Sequence, residues 1–436
     1  MDYSAQFKYP ISRRNFVKTT GLASLALPGN FIQAQNLDKP EAGPTISQIS
    51  VFSGSGSFYR YIGPNSYDDK PKGIQGHTRR TVLVELSDGT KGLGTVGYRA
   101  FNQEALKKVR NLLGKDIFSL YQWKDELIVG VSSMAERYIY NTLYSWVESA
   151  LLDALGKVKQ VPVYKLFGES IKQGIDPYDG TLYFAEIAQK RSVELIAQIG
   201  KRIKKDGYQA IKMKVGRPDK WLPGEAGVQR DIDAFIALRE AVGTNFSIMT
   251  DANNGYKNQM EWALKFLKAC APYNMYFMEE LIPDDTEQYL RIREELHKEN
   301  LHIPIADGES IWDTDMMEIF QSYCESGVYA YIQPDIPTCG FTNILRIARM
   351  AEQYPHVKLI PHVWQSQMGL LMSAHVAKIQ KNIPLIEDSR YNEHVMLAPG
   401  YSFDQGQWFV PEEPGWGVYL VPGYEEFLEG EPVILK

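Results

Sequence analysis

Ala210-Ile211-Lys212-Met213-Lys214-Val215 is a short apolar run with lysines at alternate positions. A strand repeats every two residues, so Lys212 and Lys214 share a face while Ile211, Met213 and Val215 take the other. Seven similar runs surround it: Ile175–Tyr183 before, then Ser247–Asn253, Met275–Leu281, Ile303–Glu309, Tyr331–Asp335, Leu359–Trp364 and Pro384–Asp388. From the second run on, each carries a charged or imidazole side chain at or near its end: Lys214, Asp251, Glu279, Glu309, Asp335, His362 and Glu387. One charged strand end is ordinary. Seven in succession imply a common mouth where the ends converge, and a parallel barrel provides one.

The intervening segments fit that reading. Apolar residues recur at helical spacing over Glu186–Lys205, Val228–Val242, Gln259–Ala271, Thr286–Glu299, Asp313–Ser326, Thr342–Gln353 and Gln367–Ile379. The charged markers stand 25 to 37 residues apart, a spacing suited to strand–helix units closing into a barrel. The widest gap holds Arg217–Gly227, rich in Pro and Gly, which reads as a loop insertion.

Upstream, residues 45–170 read as α+β. Thr81–Leu86, a turn at Ser87-Asp88-Gly89-Thr90, and Gly92–Gly97 form a hairpin, and Tyr138–Lys157 has helical spacing. Between Ser53 and Gly76 lies a Gly-, Ser-, Tyr- and Pro-rich stretch too long for an inert connection, expected to be a lid or mobile surface loop. Residues 175–390 hold the barrel, and residues 391–436 are expected to run back across the first domain.

Ser12-Arg13-Arg14-Asn15-Phe16-Val17-Lys18, a weak apolar stretch over Gly21–Leu27, and the exit Phe31-Ile32-Gln33-Ala34-Gln35 resemble a twin-arginine export signal. Residues 1–35 are therefore set apart from the fold, and a periplasmic location is expected. The 436 residues carry a net charge of −6, which leaves no basic footprint for nucleic acid. Nothing approaches the ~20 apolar residues of a membrane span, so no membrane partner is expected. Cys270, Cys324 and Cys339 fit no metal spacing and read as packing residues.

Asp251, Glu279 and Glu309 end the third, fourth and fifth strands. A solvated carboxylate explains any one of them. Three oxygen ligands on consecutive strand ends fit a hard divalent cation such as Mg²⁺, whereas zinc prefers nitrogen and sulfur. The paired ammonium groups of Lys212 and Lys214 are expected to lower one another's pKa, making a base near neutral pH. Asp335 and His362 end neighbouring strands, close enough for the carboxylate to fix the imidazole tautomer. Glu387 faces His362 and either hydrogen-bonds the substrate or salt-bridges Arg390. A divalent cation flanked by two bases is suited to removing a proton α to a carboxylate. An exported carboxylate-binding protein that turns nothing over is the alternative from another class.

Ile211-Lys212-Met213-Lys214, Thr250-Asp251-Ala252-Asn253, Met278-Glu279-Glu280, Asp307-Gly308-Glu309, Gln333-Pro334-Asp335, Pro361-His362 and Ile386-Glu387 together resemble the enolase superfamily, within it the mandelate racemase subgroup. The resemblance covers roughly residues 45 to 436. It implies an α/β fold, a (β/α)7β modified TIM barrel with an α+β N-terminal capping domain. It further implies Mg²⁺ on Asp251, Glu279 and Glu309, Lys214 as one base with Lys212 beside it, and Asp335–His362 as the opposing dyad. The partner it implies is a small-molecule carboxylate, and a homo-oligomer is expected. Substrate contacts are expected from Lys212, Asn253, Glu387 and the polar residues Tyr59, Arg60, Tyr98 and Arg99. Leu281 stands where the family usually has proline, and the loop carrying Trp221 is longer than in many members. Dehydration of an acid sugar through an enediolate, racemisation or epimerisation, and cycloisomerisation all remain open, with dehydration expected.

Overall fold

The computed structural model describes residues 42–97, 102–312 and 314–436. At the N-terminus, strands β1 (Ile46–Gly54), β2 (Gly56–Phe58), β3 (Arg79–Leu86) and β4 (Lys91–Val96) precede helix α1 (Glu148–Lys159). The β3–β4 hairpin pairs as its turn residues predict, with Leu86 N–H donating to Thr90 C=O. Helical spacing from Tyr138 gives only short turns at Glu136–Ile139 and Ser145–Val147 before α1 begins.

Then follow β5 (Pro177–Leu182), α2 (Glu194–Lys205), β6 (Ala210–Lys214), α3 (Glu225–Val242), β7 (Ser247–Asp251), α4 (Met260–Cys270), β8 (Met275–Glu279) and α5 (Thr286–His297). The series continues with β9 (Ile305–Asp307), α6 (Met316–Ser326), β10 (Tyr329–Ile332), α7 (Phe341–Ala351), β11 (Lys358–Leu359), α8 (Gln367–Ile379) and β12 (Ile386–Asp388). Eight parallel strands order as β11-β10-β9-β8-β7-β6-β5-β12, with one long helix in each of the seven crossovers. At the seam between β11 and β12, Leu359 N–H donates to Asn382 C=O, and Val363 N–H donates to the Glu387 carboxylate. The strands are nearly continuous apolar runs because helices cover the outer face.

The sheet is curled. Tyr178, Ala210, Met249, Phe277, Ala306 and Ile360 form one small buried cluster with Tyr331 and Leu385 packed against it. These residues come from or adjoin all eight strands, and a flat sheet could not bring them together. Two residues further along, period 2 returns each strand to the same face. Ala210 leads to Lys212 and Lys214, Met249 to Asp251, Phe277 to Glu279, Ile360 to His362, and Leu385 to Glu387. An apolar plug fills one end of the barrel and a charged layer lies above it.

Local signals account for most boundaries. Asp285 caps α5 by accepting from Gln288 N–H, and Ser366 caps α8 by accepting from Gly369 N–H. Two expectations shift. The helix expected from Glu186 begins at Glu194, after a single turn at Ala185–Ala188 and a positive φ at Lys190. The Arg217–Gly227 insertion contains a helical turn at Arg217–Lys220, and α3 starts within it at Glu225. Past the barrel, β13 (Tyr391–Glu393) pairs with β2, and β14 (Val433–Leu435) pairs with β1. All three cysteines are buried and free.

Candidate active site

Asp251 and Glu279 are the last residues of β7 and β8, side by side in register. Glu309 follows β9 by two residues, and Gly308 (φ 123°) turns the chain so that its carboxylate rejoins the other two. One carboxylate oxygen from each of Asp251, Glu279 and Glu309 lies within 4.8 Å of the others. Three hard oxygen donors at that separation fit a divalent cation that takes oxygen ligands.

The cationic side chains crowd the same acids. Lys212 Nζ lies 2.9 Å from Glu279, 2.9 Å from Glu387 and 3.4 Å from Asp251. Lys214 pairs with Asp251. On the opposite side, His362 Nδ1 is 2.8 Å from Asp335 and its Nε2 is 3.0 Å from Glu309. Gln333 donates to Glu279 at 2.9 Å, a contact not foreseen from the sequence.

These neighbours correct one expectation. Burial disfavours charge on Lys212 and Lys214, yet both are raised rather than lowered. Burial is the largest single influence on each, but for Lys212 the charges of Glu279, Glu387 and Asp251 together outweigh it, and for Lys214 those of Asp251, Glu309 and Glu279 together outweigh both burial and the Lys212 ammonium. His362 is likewise raised: Glu309, Glu387 and Asp335 overcome its burial and favour the imidazolium. Burial works to raise Glu309, but His362 and the two lysines hold it well below the usual carboxylate range.

Glu387 does not form the salt bridge with Arg390 that was one of its two expected roles. It pairs with Lys212 and accepts from Val363 N–H, while Arg390 pairs with Asp179 and Asp206. Asn253 lines the cavity, yet both ends of its amide are engaged: Oδ1 accepts from Asn65 and Nδ2 donates to Glu280. Tyr59 and Arg60 do not reach the cavity. Arg60 pairs with buried Asp179, and Tyr59 lies under the Arg390 guanidinium, so both anchor the chain beside the barrel. Tyr98 and Arg99 lie outside the described residues, as do residues 1–35.

A cavity of about 220 Å³ opens over this layer. Its lining includes Lys214, Glu309, His362 and Glu387 from the barrel, and Asn65, Tyr67, Asp68, Lys72 and His77 from the N-terminal segment. Low periodicity marked this segment as a lid or a mobile surface loop, but composition could not tell which of its residues face inward. Trp221, singled out for its long loop, donates from Nε1 to Asn65 C=O, while Tyr67 donates to Glu280. Both fasten the lid to barrel loops.

Comparison with known proteins agrees with the geometry. A family model described as Enolase C-terminal domain-like matches residues 194–423. An arabinonate dehydratase of Saccharolobus solfataricus is 30% identical over 372 residues, covering 82% of this chain and 92% of that protein. A 3,6-anhydro-alpha-L-galactonate cycloisomerase of Streptomyces coelicolor is 29% identical over 352 residues, covering 78% and 88%. Among solved structures, a galacturonate dehydratase from a Geobacillus species, complexed with D-galacturonate and 5-keto-4-deoxy-D-galacturonate, superposes with a TM-score of 0.73. It shares 24% identity and covers 89% of this chain and 97% of its own. A barrel with three converging acids, sequence similarity across four-fifths of the chain and the matched family region lead to one conclusion: this chain belongs to the enolase superfamily.

Proposed function

We propose that this protein is a Mg²⁺-dependent lyase that removes the proton α to the carboxylate of an acid sugar and expels the β-hydroxyl as water. The observation that carries the reading is the convergence of Asp251, Glu279 and Glu309 within 4.8 Å, between Lys214 and His362. A divalent cation held there would neutralise the carboxylates that keep Lys214 protonated and would stabilise negative charge on the substrate carboxylate.

The protein's own groups divide the remaining work. Lys214 takes the α-proton. Asp335 holds Nδ1 of His362, which aims Nε2 into the cavity, and its carboxylate favours the protonated imidazole independently of the acids that would hold the cation. His362 therefore suits the acid role, giving its proton to the departing hydroxyl. The enediolate loses the hydroxyl to give an enol, which tautomerises to a 2-keto-3-deoxy acid. Lys212, tied to Glu279 and Glu387, adds fixed positive charge beside the developing anion. Cycloisomerisation is the second reading, favoured by relatives that carry that activity in their names. The twin-arginine pattern at Arg13-Arg14 supports export to the periplasm as part of the same proposal.

The test is incubation with Mg²⁺ and a panel of aldonates and aldarates in D₂O. A 2-keto-3-deoxy acid is expected. Deuterium at the α-carbon without loss of water would replace dehydration by racemisation, and no exchange on any substrate would remove the lyase reading. His362→Asn is expected to lose about a hundredfold or more in kcat, with Mg²⁺ affinity by calorimetry unchanged.

A further inference from the structure

Two aromatic side chains, Tyr183 and Trp364, line the cavity beside its charged layer. Lys214 Nζ stands 5.2 Å from the centre of the Tyr183 ring, and Tyr183 lies 5.2 Å from Trp364 at an interplanar angle of 30°. Lys72 Nζ in turn sits 5.4 Å from the Trp364 ring. Two neighbouring aromatic rings thus each carry a cation, Lys214 from the barrel beside Tyr183 and Lys72 from the N-terminal segment beside Trp364. Rings in such a row offer a flat apolar surface to the C–H face of a sugar chain, leaving its hydroxyls to the polar walls.

Lys72 does not present a bare charge. Its ammonium donates to Asp68 Oδ1 at 2.6 Å, and the two side chains are only 11% and 18% exposed. Asp68 is itself fixed, because its other oxygen accepts from Asn65 N–H at 3.2 Å. Asn65 is held by Asn253 and by Trp221 of the barrel loops. His77, which also lines this cavity, is lowered first by partial burial and then by Lys72, both of which disfavour its charged form. The far end is charge-balanced, with donors on Lys72 and an acceptor on Asp68 for hydroxyl groups.

We infer that Asp68 and Lys72 form a neutral distal subsite that selects acid sugars with one carboxylate and an uncharged far end, and disfavours the matching dicarboxylates. The inference rests on the acid-sugar reading above and narrows its substrate class. A second carboxylate at this end would meet the Asp68 charge in a part-buried setting, where repulsion is weakly screened. A terminal hydroxymethyl group can instead accept from Lys72 and donate to Asp68.

The experiment is calorimetric titration of the Mg²⁺-loaded protein with matched pairs, D-gluconate against D-glucarate and D-galactonate against D-galactarate. The monocarboxylate is expected to bind at least tenfold more tightly in the better pair. Asp68→Asn, whose side-chain oxygen still accepts from Asn65, exposes the Lys72 charge and should move the ratio at least tenfold towards the dicarboxylate. Lys72→Met should weaken the monocarboxylate and leave that move absent when combined with Asp68→Asn. Equal or tighter binding of the dicarboxylate by the parent protein, or a ratio unmoved by Asp68→Asn with Mg²⁺ affinity and melting temperature intact, overturns the distal subsite alone. Failure of every acid sugar to bind overturns the acid-sugar reading and this inference with it.

Discussion

Lys212 and Lys214 show how far a side chain's neighbours govern its chemistry. Two lysines at alternate positions predict mutual repulsion, yet each also meets carboxylates on adjoining strand ends, and those acids win. Glu148 illustrates the opposite balance. It is fully buried in α1 and accepts from Thr342 N–H at the start of α7. Burial is the largest influence and pushes its carboxyl up to about 7 from the ordinary 4.5, against the hydrogen bonds from Thr342 and Phe341. Because the folded value lies above the unfolded one, the native protein keeps this proton where the unfolded chain releases it. The stability so gained is complete below pH 4.5 and is lost as pH rises to about 7. Glu148→Gln should retain it. Denaturant titrations are expected to show the variant gaining on the parent between pH 4.5 and 7, by up to about 3 kcal/mol. A pH-independent difference would mean that the carboxyl is already ionised in the fold.

At the scale of elements, the strands deliver their charged ends through backbone period alone, but the loops beyond them need special fits. Gly216, just past β6, and Gly255, past β7, touch backbone to backbone: a Cβ on Gly255 would stand 2.5 Å from both the Cα and the carbonyl oxygen of Gly216. Ser66 of the lid fills the same corner, donating to Gly216 C=O at 2.8 Å. Gly255→Ala must therefore push apart the loops that follow Lys214 and Asp251. The expected cost is about 1–3 kcal/mol by thermal or denaturant unfolding, with weakened Mg²⁺ binding alongside. A variant as stable as the parent would show that these loops separate without strain.

Over the whole molecule, three acids gathered at one barrel mouth couple ion binding to folding, since the unfolded chain scatters them. Mg²⁺ at a hundred times its Kd should raise the unfolding free energy by about 2.7 kcal/mol, and EDTA should withdraw that gain. Glu309→Gln should abolish the Mg²⁺ dependence of the melting temperature without unfolding the protein. An unchanged Mg²⁺ response would mean that the ion binds elsewhere. The segments that flank the barrel join the same assembly at long range: β14 extends the sheet beside β1, and β13 pairs with β2 where the lid segment begins.

The barrel and its charged layer were legible because both follow from short-range rules. Period 2 carries each strand from an apolar plug residue to a charged one, as from Met249 to Asp251, and helical spacing marks the crossovers between strands. The lid was legible only as a segment, since nothing in its composition separates Tyr59 and Arg60, which anchor outside the cavity, from Asp68 and Lys72, which line it. That distinction depends on which barrel loops the segment meets: Asp179 and Asp206 draw Arg60 aside, while Trp221 and Asn253 hold Asn65 over the mouth. Local sequence therefore determined the strands, the helices and the acids at their ends. Protonation of the lysines, the partner of Glu387 and the facing of the lid were decided by tertiary structure, because each depends on charges and packing surfaces contributed by distant parts of the chain.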